Sequence, residues 1–213
     1  MNEYFEKIFL ISSYATVSRL ENTLSVFKRE DINVDIVIAP DKRYFGTYNS
    51  AGIWAGKASK SLMTANESIY LKSKIDKYSS ICVFEDDVFF AEDYKKNLEC
   101  FLGCVPLDWD ILNLGFHYMS ELNSISEGVY HKISSEDKIV GAHAVAYKST
   151  TYDMIINKLN DNICPIDCFL QDKIYYEVNS YIPNSQIFFA SSYREYEPDK
   201  DKSYKYYKTS NVD

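Results

Sequence analysis

Three consecutive acids, Glu85, Asp86 and Asp87, are the residues of this 213-residue chain that point most directly to chemistry. They follow 80–84 (SICVF), an apolar run that predicts a strand covered on both faces. Because uncompensated carboxylates repel one another and lose hydration there, we expect a positive group among them. Residues two apart in a strand point to the same side, so Glu85 and Asp87 could together hold a hard divalent cation. The alternative is that the acids cap the next helix.

The elements that position these acids alternate short apolar runs with amphipathic segments, which is typical of a mostly parallel sheet with helices on its faces. Open sheets of this kind bind ligands just beyond the carboxyl ends of their strands, where the three acids fall. The natural ligand at that place is a metal-bound diphosphate. The predicted strands are 7–12, 35–39, 80–84, 110–114, 129–133, 139–147 and 187–190, and the predicted helices are 18–30, 58–77, 94–105, 152–159 and 165–176.

Composition indicates a globular protein of one domain. Hydrophobic residues make up 46% of the chain and charged residues 25%, enough to bury a core. The net charge of −8 is the opposite of a basic nucleic-acid footprint and argues against bulk nucleic-acid binding, although it leaves a local basic groove open. Two acids precede the first apolar run, 8–11, so we expect neither a signal peptide nor a membrane helix, and a cytoplasmic protein.

Motifs of several other enzyme classes are missing. The seven glycines never form G-x-G-x-x-G or G-x-x-x-x-G-K-[ST], and neither H-E-x-x-H nor G-x-S-x-G occurs. Dehydrogenase, P-loop and zincin interpretations therefore lose most of their support.

Residues 80–90 (SICVFEDDVFF), followed by a predicted helix and then 108–115 (DWDILNLG), resemble glycosyltransferase family 25. That family includes bacterial lipopolysaccharide galactosyltransferases and collagen galactosyltransferases. Its pattern is a strand ending in E-D-D plus an aromatic residue, a helix, and then W-D-hydrophobic-hydrophobic-x-L-G. Farther on, 141–147 (GAHAVAY) is similar to a family strand with His or Thr before Ala-Tyr, and 165–167 (PID) resembles its P-x-D. Order and spacing agree over roughly residues 5 to 190, most clearly from 80 to 175.

The chain departs from the family pattern in two places. The family's G-C-x-x-S-H helix is represented by 56–65 (GKASKSLMTA), without the His, and its first-strand L-D-R-R-x-x-R run is reduced to 13–19 (SYATVSR). Arg19 still lies near the place where the family has an arginine after its first strand. These departures leave the donor base and the acceptor open.

The resemblance implies a GT-A-like, Rossmann-type α/β fold in a single domain, with a mostly parallel sheet and helices on both faces. We expect this domain to span 1–192, and 193–213 to be a mobile tail or a lid. The implied activity is that of a metal-dependent hexosyltransferase. It would move galactose or glucose from a nucleotide-sugar donor, UDP-linked, to the hydroxyl of a saccharide acceptor, with inversion.

Metal and donor roles follow from this chemistry. Breaking the sugar–phosphate bond leaves negative charge on the nucleoside diphosphate, which a divalent ion held by Asp87 would stabilise, with Glu85 toward the ribose or the metal's waters. Oxygen ligands suit Mg²⁺ or Mn²⁺. His143 would be a further metal ligand if its strand lies beside the third, and a histidine hydrogen-bonded within the sheet is the alternative. Donor contacts are expected from Glu85, Asp86, Arg19 and Lys57, although charged loop residues are often only solvated.

Asp167, at a predicted helix start, is the expected catalytic base that deprotonates the acceptor hydroxyl. The alternative is an acid that merely favours the helix N-terminus. Both interpretations stay open on the sequence.

Other functions remain open as well. A nucleotidyltransferase usually has a G-x-G loop after its first strand, where this chain has 12–16 (SSYAT). A non-catalytic nucleotide-sugar-binding module would keep the acids without turnover. A phage-type glycosyltransferase acting on a modified DNA base is suggested by the Asn-, Lys-, Tyr- and Ile-rich composition and by four tail lysines among aromatic residues, while the charge of −8 argues against it.

Overall fold

The computed structural model describes residues 1–13, 17–45, 56–118, 128–159 and 164–190. The strands are β1 (Lys7–Ser13), β2 (Asp35–Ala39), β3 (Ser80–Glu85), β4 (Val88–Phe90), β5 (Ile111–Tyr118), β6 (Tyr130–Lys132), β7 (Ile139–Lys148), β8 (Ser180–Pro183) and β9 (Phe188–Ala190). The helices are α1 (Val17–Arg29), α2 (Lys57–Ile75), α3 (Tyr94–Cys104), α4 (Tyr152–Leu159) and α5 (Ile166–Lys173). No helix in these ranges is long and apolar enough to span a bilayer.

Seven strands form the main sheet in the order β2-β1-β3-β7-β5-β8-β6, and β4 pairs separately with β9. Strands β1, β2 and β3 are parallel, and β7 is antiparallel to both β3 and β5. Because β8 is parallel to β5 and β6 antiparallel to β8, five strands share one direction and two oppose it. The predicted α/β fold is confirmed, and its main sheet is mixed, with most strands running in one direction.

Helices cover both faces of this sheet, as predicted. Phe9 and Ile11 of β1 pack in a core with residues of α2, α4 and α5, whereas Ile8 and Leu10 pack with residues of α1 and α3. Successive strand residues therefore enter opposite cores, which is the alternation of a strand buried on both sides. The same alternation decides which way the residues at the end of β3 point.

One edge of the sheet collects several strand ends. Strands β1, β3 and β5 end there, and β7 begins there because it runs the other way. Ile11 pairs with Glu85 across β1 and β3, and Phe84 pairs with Ala144 across β3 and β7. His117 pairs with Val140 across β5 and β7. This edge is called the carboxyl edge below.

Candidate functional site

The three acids lie at the carboxyl edge, as the sequence predicted. Glu85 is the last residue of β3, and Asp86 and Asp87 form the turn into β4. Helix α3 begins only at Tyr94, so the acids do not cap it. Val83 belongs to the core beneath α5, and strand alternation therefore directs Glu85, two residues later, to the α5 side.

Asp86 is held inside the protein. Its side chain lies 2.5 Å from Arg19 Nη2 and accepts a 2.5 Å hydrogen bond from Ser12 Oγ, and only 2% of the residue is exposed. Its carbonyl accepts a 2.7 Å hydrogen bond from Thr23 Oγ1. Asp86 thus ties the turn to β1 and α1. Both carboxylate oxygens have partners within the protein, and the expected donor contact of Asp86 stays a prediction.

Glu85 and Asp87 have different surroundings. Asp87 Oδ1 is buried and has no hydrogen-bond partner among the described residues. Burial raises the pKa of Asp87, against the opposing charge of Arg19. Burial, followed by the charges of Asp87, Asp167 and Asp86, raises the pKa of Glu85 to about 8. These two partly buried carboxylates favour a neutral state or a bound cation.

Asp167 lies in the first turn of α5 and faces the same edge. Its Oδ2 accepts a hydrogen bond from the Gly141 N–H at 3.0 Å, and its Oδ1 accepts one from the Cys168 N–H at 2.9 Å. Its charge contributes to the raised pKa of Glu85, which places the two carboxylates near each other. The contacts match the helix N-terminal acid, and the base role stays a prediction.

His143 meets the condition set for it in the sequence, since its strand β7 lies beside β3. It is buried, and its Nε2 lies 3.3 Å from the Phe188 carbonyl oxygen. A carbonyl can only accept, so Nε2 carries the proton. Burial lowers the pKa of His143 to about 3. The structure thus favours the hydrogen-bonded alternative, and no group of three or more His, Cys, Asp or Glu suited to a metal occurs among the described residues.

His117, near the end of β5, was not singled out from the sequence. Its ring packs on that of His143, with the ring centroids 5.1 Å apart and the planes tilted by 37°. Burial lowers the pKa of His117, and the charge of Asp167 opposes that shift. The sequence carries no clear signal for it, because the predicted strand ends at residue 114 and the register of β5 against β7 shifts between Asn113 and Gly115 and again between Gly115 and His117.

Two glycines make room for the histidines. A Cβ on Gly115 would lie 2.5 Å from His143 Cδ2, so only glycine fits beneath that ring. Gly141 has φ +87°, and a Cβ there would lie 3.1 Å from His117 Cδ2. The unusual backbone of Gly141 is held from both sides, since Asn113 Nδ2 donates to its carbonyl at 3.0 Å while Asp167 accepts from its N–H.

The remaining predicted donor residues, Arg19 and Lys57, lie at the starts of two helices next to this edge. Arg19 lies in the first turn of α1, and 44% of its side chain is exposed. Lys57 is the exposed first residue of α2. The predicted tail, 193–213, and most of the loop before Lys57, 46–55, lie outside the described residues.

Comparison with known proteins gives a distant structural likeness. No protein-family model matches the chain, and no curated protein matches it. Among solved structures, the chain is similar to a glycosyltransferase involved in the glycosylation of the major capsid of PBCV-1, with a TM-score of 0.49 and 6% identity over 87% of this chain and 92% of that chain. Membership of family 25 therefore stays an interpretation of the sequence motifs.

Proposed function

We propose that the protein is a metal-dependent glycosyltransferase that transfers a hexose from a UDP-linked sugar to the hydroxyl of a saccharide, with inversion. The observation that carries this proposal is the turn after β3. There Asp86 is compensated by Ser12 and Arg19, whereas Asp87 keeps a buried oxygen that has no hydrogen-bond partner in the described part of the chain. The motif resemblance from 80 to 115 supports the same activity.

A divalent ion fits the residues of this turn. Asp87 Oδ1 has no hydrogen-bond partner among the described residues, and burial raises the pKa of Glu85, so the described surroundings do little to stabilise the charged form of either carboxylate. Mg²⁺ is usually bound by one or two carboxylates together with substrate phosphates and waters, so two protein ligands suffice. We therefore assign Asp87 and Glu85 as the residues that would hold Mn²⁺ or Mg²⁺, and leave His143 out of the set. When bound, the ion would stabilise the charge that develops on the leaving diphosphate.

Arg19 and Lys57 would contact the donor phosphates. A guanidinium offers five N–H donors in a planar fork, so pairing with Asp86 leaves donors for a second anion. The Asp86 pair also fixes where the half-exposed Arg19 side chain lies. Asp86 would therefore act on donor binding through Arg19 rather than by touching the donor.

Asp167 would act as the base. In an inverting displacement the acceptor oxygen forms a bond to the sugar carbon while the bond from that carbon to the diphosphate oxygen breaks. The hydroxyl proton moves to the Asp167 carboxylate, and the electron pair leaves with the diphosphate. Two backbone N–H groups orient this carboxylate without blocking all its lone pairs. A general base of this kind commonly contributes about a hundredfold to ten-thousandfold.

A panel of nucleotide sugars tests the proposal. Thermal unfolding is followed with each sugar, with and without MnCl₂, and any stabilising sugar is then incubated to detect its hydrolysis. We expect a UDP-hexose to stabilise the protein only with Mn²⁺ and to be consumed. Binding without consumption, alone or with added saccharides, would indicate a non-catalytic sugar-nucleotide module. No stabilisation by any sugar would overturn the proposal.

A further inference from the structure

We propose that His117 binds the acceptor: its imidazole would hydrogen-bond a hydroxyl of the incoming saccharide on the β5 side of the carboxyl edge, next to Asp167. This inference rests on the proposed glycosyltransferase activity and extends it to a residue that the sequence motifs do not include. It assigns the acids after β3 to the donor and the histidine at the end of β5 to the acceptor.

The first support is position. Glu85 ends β3, His117 lies near the end of β5, and the start of β7 runs between them. His117 and Asp167 both contact Gly141, His117 through the close approach of its ring and Asp167 through the 3.0 Å hydrogen bond. A group bound at His117 therefore lies close to the proposed base.

The second support is the way in which the ring is held. His143 packs beneath His117 and is itself fixed to the Phe188 carbonyl, so the outer ring has an aromatic support on its inner side. Gly141 removes the side chain that would press on His117 Cδ2. His117 is only partly buried, in contrast to His143. A ring supported from within and partly open to solvent is suited to contact a ligand.

The third support is chemical. A neutral imidazole has one donor and one acceptor nitrogen, which matches a hydroxyl group that both donates and accepts. Burial lowers the pKa of His117 and so favours this neutral form. A donor phosphate, by contrast, is better matched by the permanent charge of Arg19 on the far side of β3. The residue type thus favours the uncharged acceptor as its ligand.

The experiment compares His117→Phe, which keeps a ring on His143, with His117→Asn, which keeps a donor and an acceptor. The matched control is His131→Phe on β6, two strands away from β5 in the sheet, where the native imidazole hydrogen-bonds Asp137. The probes are the UDP-hexose that the wild type binds with Mn²⁺, with water as the acceptor, and a panel of p-nitrophenyl glycosides as saccharide acceptors. Circular dichroism confirms the fold of each variant, and calorimetry gives its donor Kd.

We expect His117→Phe to raise the acceptor KM about tenfold, the size of effect expected for loss of one hydrogen bond to a substrate. Donor hydrolysis should also fall. The donor Kd should change less than about twofold. His117→Asn should recover part of the loss, and His131→Phe should match the wild type. Unchanged acceptor KM and hydrolysis in both His117 variants would overturn the inference, and so would a donor Kd that rises as much as the acceptor KM. A wild type that neither binds nor consumes a UDP-hexose would instead remove the glycosyltransferase proposal beneath it.

Discussion

Adjacent aspartates at the end of β3 have opposite surroundings. Asp86 is buried against Ser12 and Arg19, so its charge is part of the fold. Asp87 has a buried oxygen without a described partner, so its charge opposes the fold unless a cation binds. A side chain that costs stability is often retained because the site needs it.

Isosteric substitutions should separate the two roles in metal-free protein. Asp86→Asn should lower the free energy of unfolding by about 1–3 kcal/mol, because one amide oxygen cannot replace a carboxylate that serves both Ser12 and Arg19. Asp87→Asn should leave it unchanged or raise it by up to about 1 kcal/mol, because burial already raises the pKa of this group. Urea unfolding at neutral pH in EDTA measures both. Equal losses in the two variants would contradict the assignment.

Asp167→Asn tests the base. Donor affinity should survive while transfer falls about a hundredfold or more, because the amide cannot accept the acceptor proton. Structure adds a complication to this variant: both carboxylate oxygens accept backbone N–H groups, so the amide must lose one of these bonds. Asp172→Asn, five residues farther along α5, is the matched control. Steady-state kinetics with saturating donor and acceptor decide, and near wild-type turnover would exclude Asp167 as the base.

At the residue scale, the sequence predicted what local composition encodes. Three acids after an apolar run indicated charge at a strand end, and that is where Glu85 lies. The sequence could not indicate that Arg19 would pair with Asp86, or that Gly141 would lie against His117, because both contacts depend on how separate elements pack. His117 was missed for the same reason.

At the element scale, periodicity predicted the five helices to within a few residues, yet two strands escaped it. Strand β4 has three residues and pairs with β9, which is distant in sequence. Strand β8 has four residues and ends at Pro183. Strands this short have too few residues to show a period, and their partners are set by the tertiary fold. Long amphipathic segments such as α2 do not have this difficulty.

The end of α2 sets where β3 begins, and it does so with a residue in an unfavourable conformation. Lys77 has φ 59°, and the Tyr78 N–H donates to the Ser73 carbonyl at 3.0 Å, which is a Schellman motif with lysine in the place usually taken by glycine. The chain then enters β3 at Ser80, so this turn helps to aim the strand that carries the acids.

Lys77→Gly should therefore stabilise the protein by about 0.5–1 kcal/mol, because glycine adopts positive φ without the Cβ penalty. Lys77→Ala is the matched control, since it removes the same exposed side chain and keeps the Cβ. Urea midpoints at constant m-value measure the effect. A gain in both variants would assign it to the lysine charge rather than to the backbone.

At the scale of the whole molecule, the antiparallel strand β7 determines how the candidate site is assembled. It places Gly141 and His143 between the ends of β3 and β5, and α5 docks onto it through Asp167. The acids of the proposed donor side and the histidine of the proposed acceptor side thus share one edge of one sheet. Within the described part of the chain, neither the donor side nor the acceptor side contains a group of three side chains that could together hold a metal ion.

This arrangement predicts that the divalent ion and the donor bind together. With only Asp87 and Glu85 to hold it, Mn²⁺ alone should bind weakly, and the diphosphate of the donor should complete its coordination. Because such coupling is reciprocal, Mn²⁺ should strengthen donor binding by the same factor by which the donor strengthens Mn²⁺ binding, and we expect about tenfold or more. Calorimetric titration of UDP and of the UDP-hexose, each in MnCl₂ and in EDTA, measures the factor from one direction, and titration of Mn²⁺ at saturating UDP measures it from the other.

Asp87→Asn should reduce the coupling toward unity, while Lys77→Gly, remote from the ligands, should preserve it. Equal donor affinity in MnCl₂ and EDTA would show that the turn after β3 is not a metal site, and the two partly buried carboxylates would then need another source of positive charge.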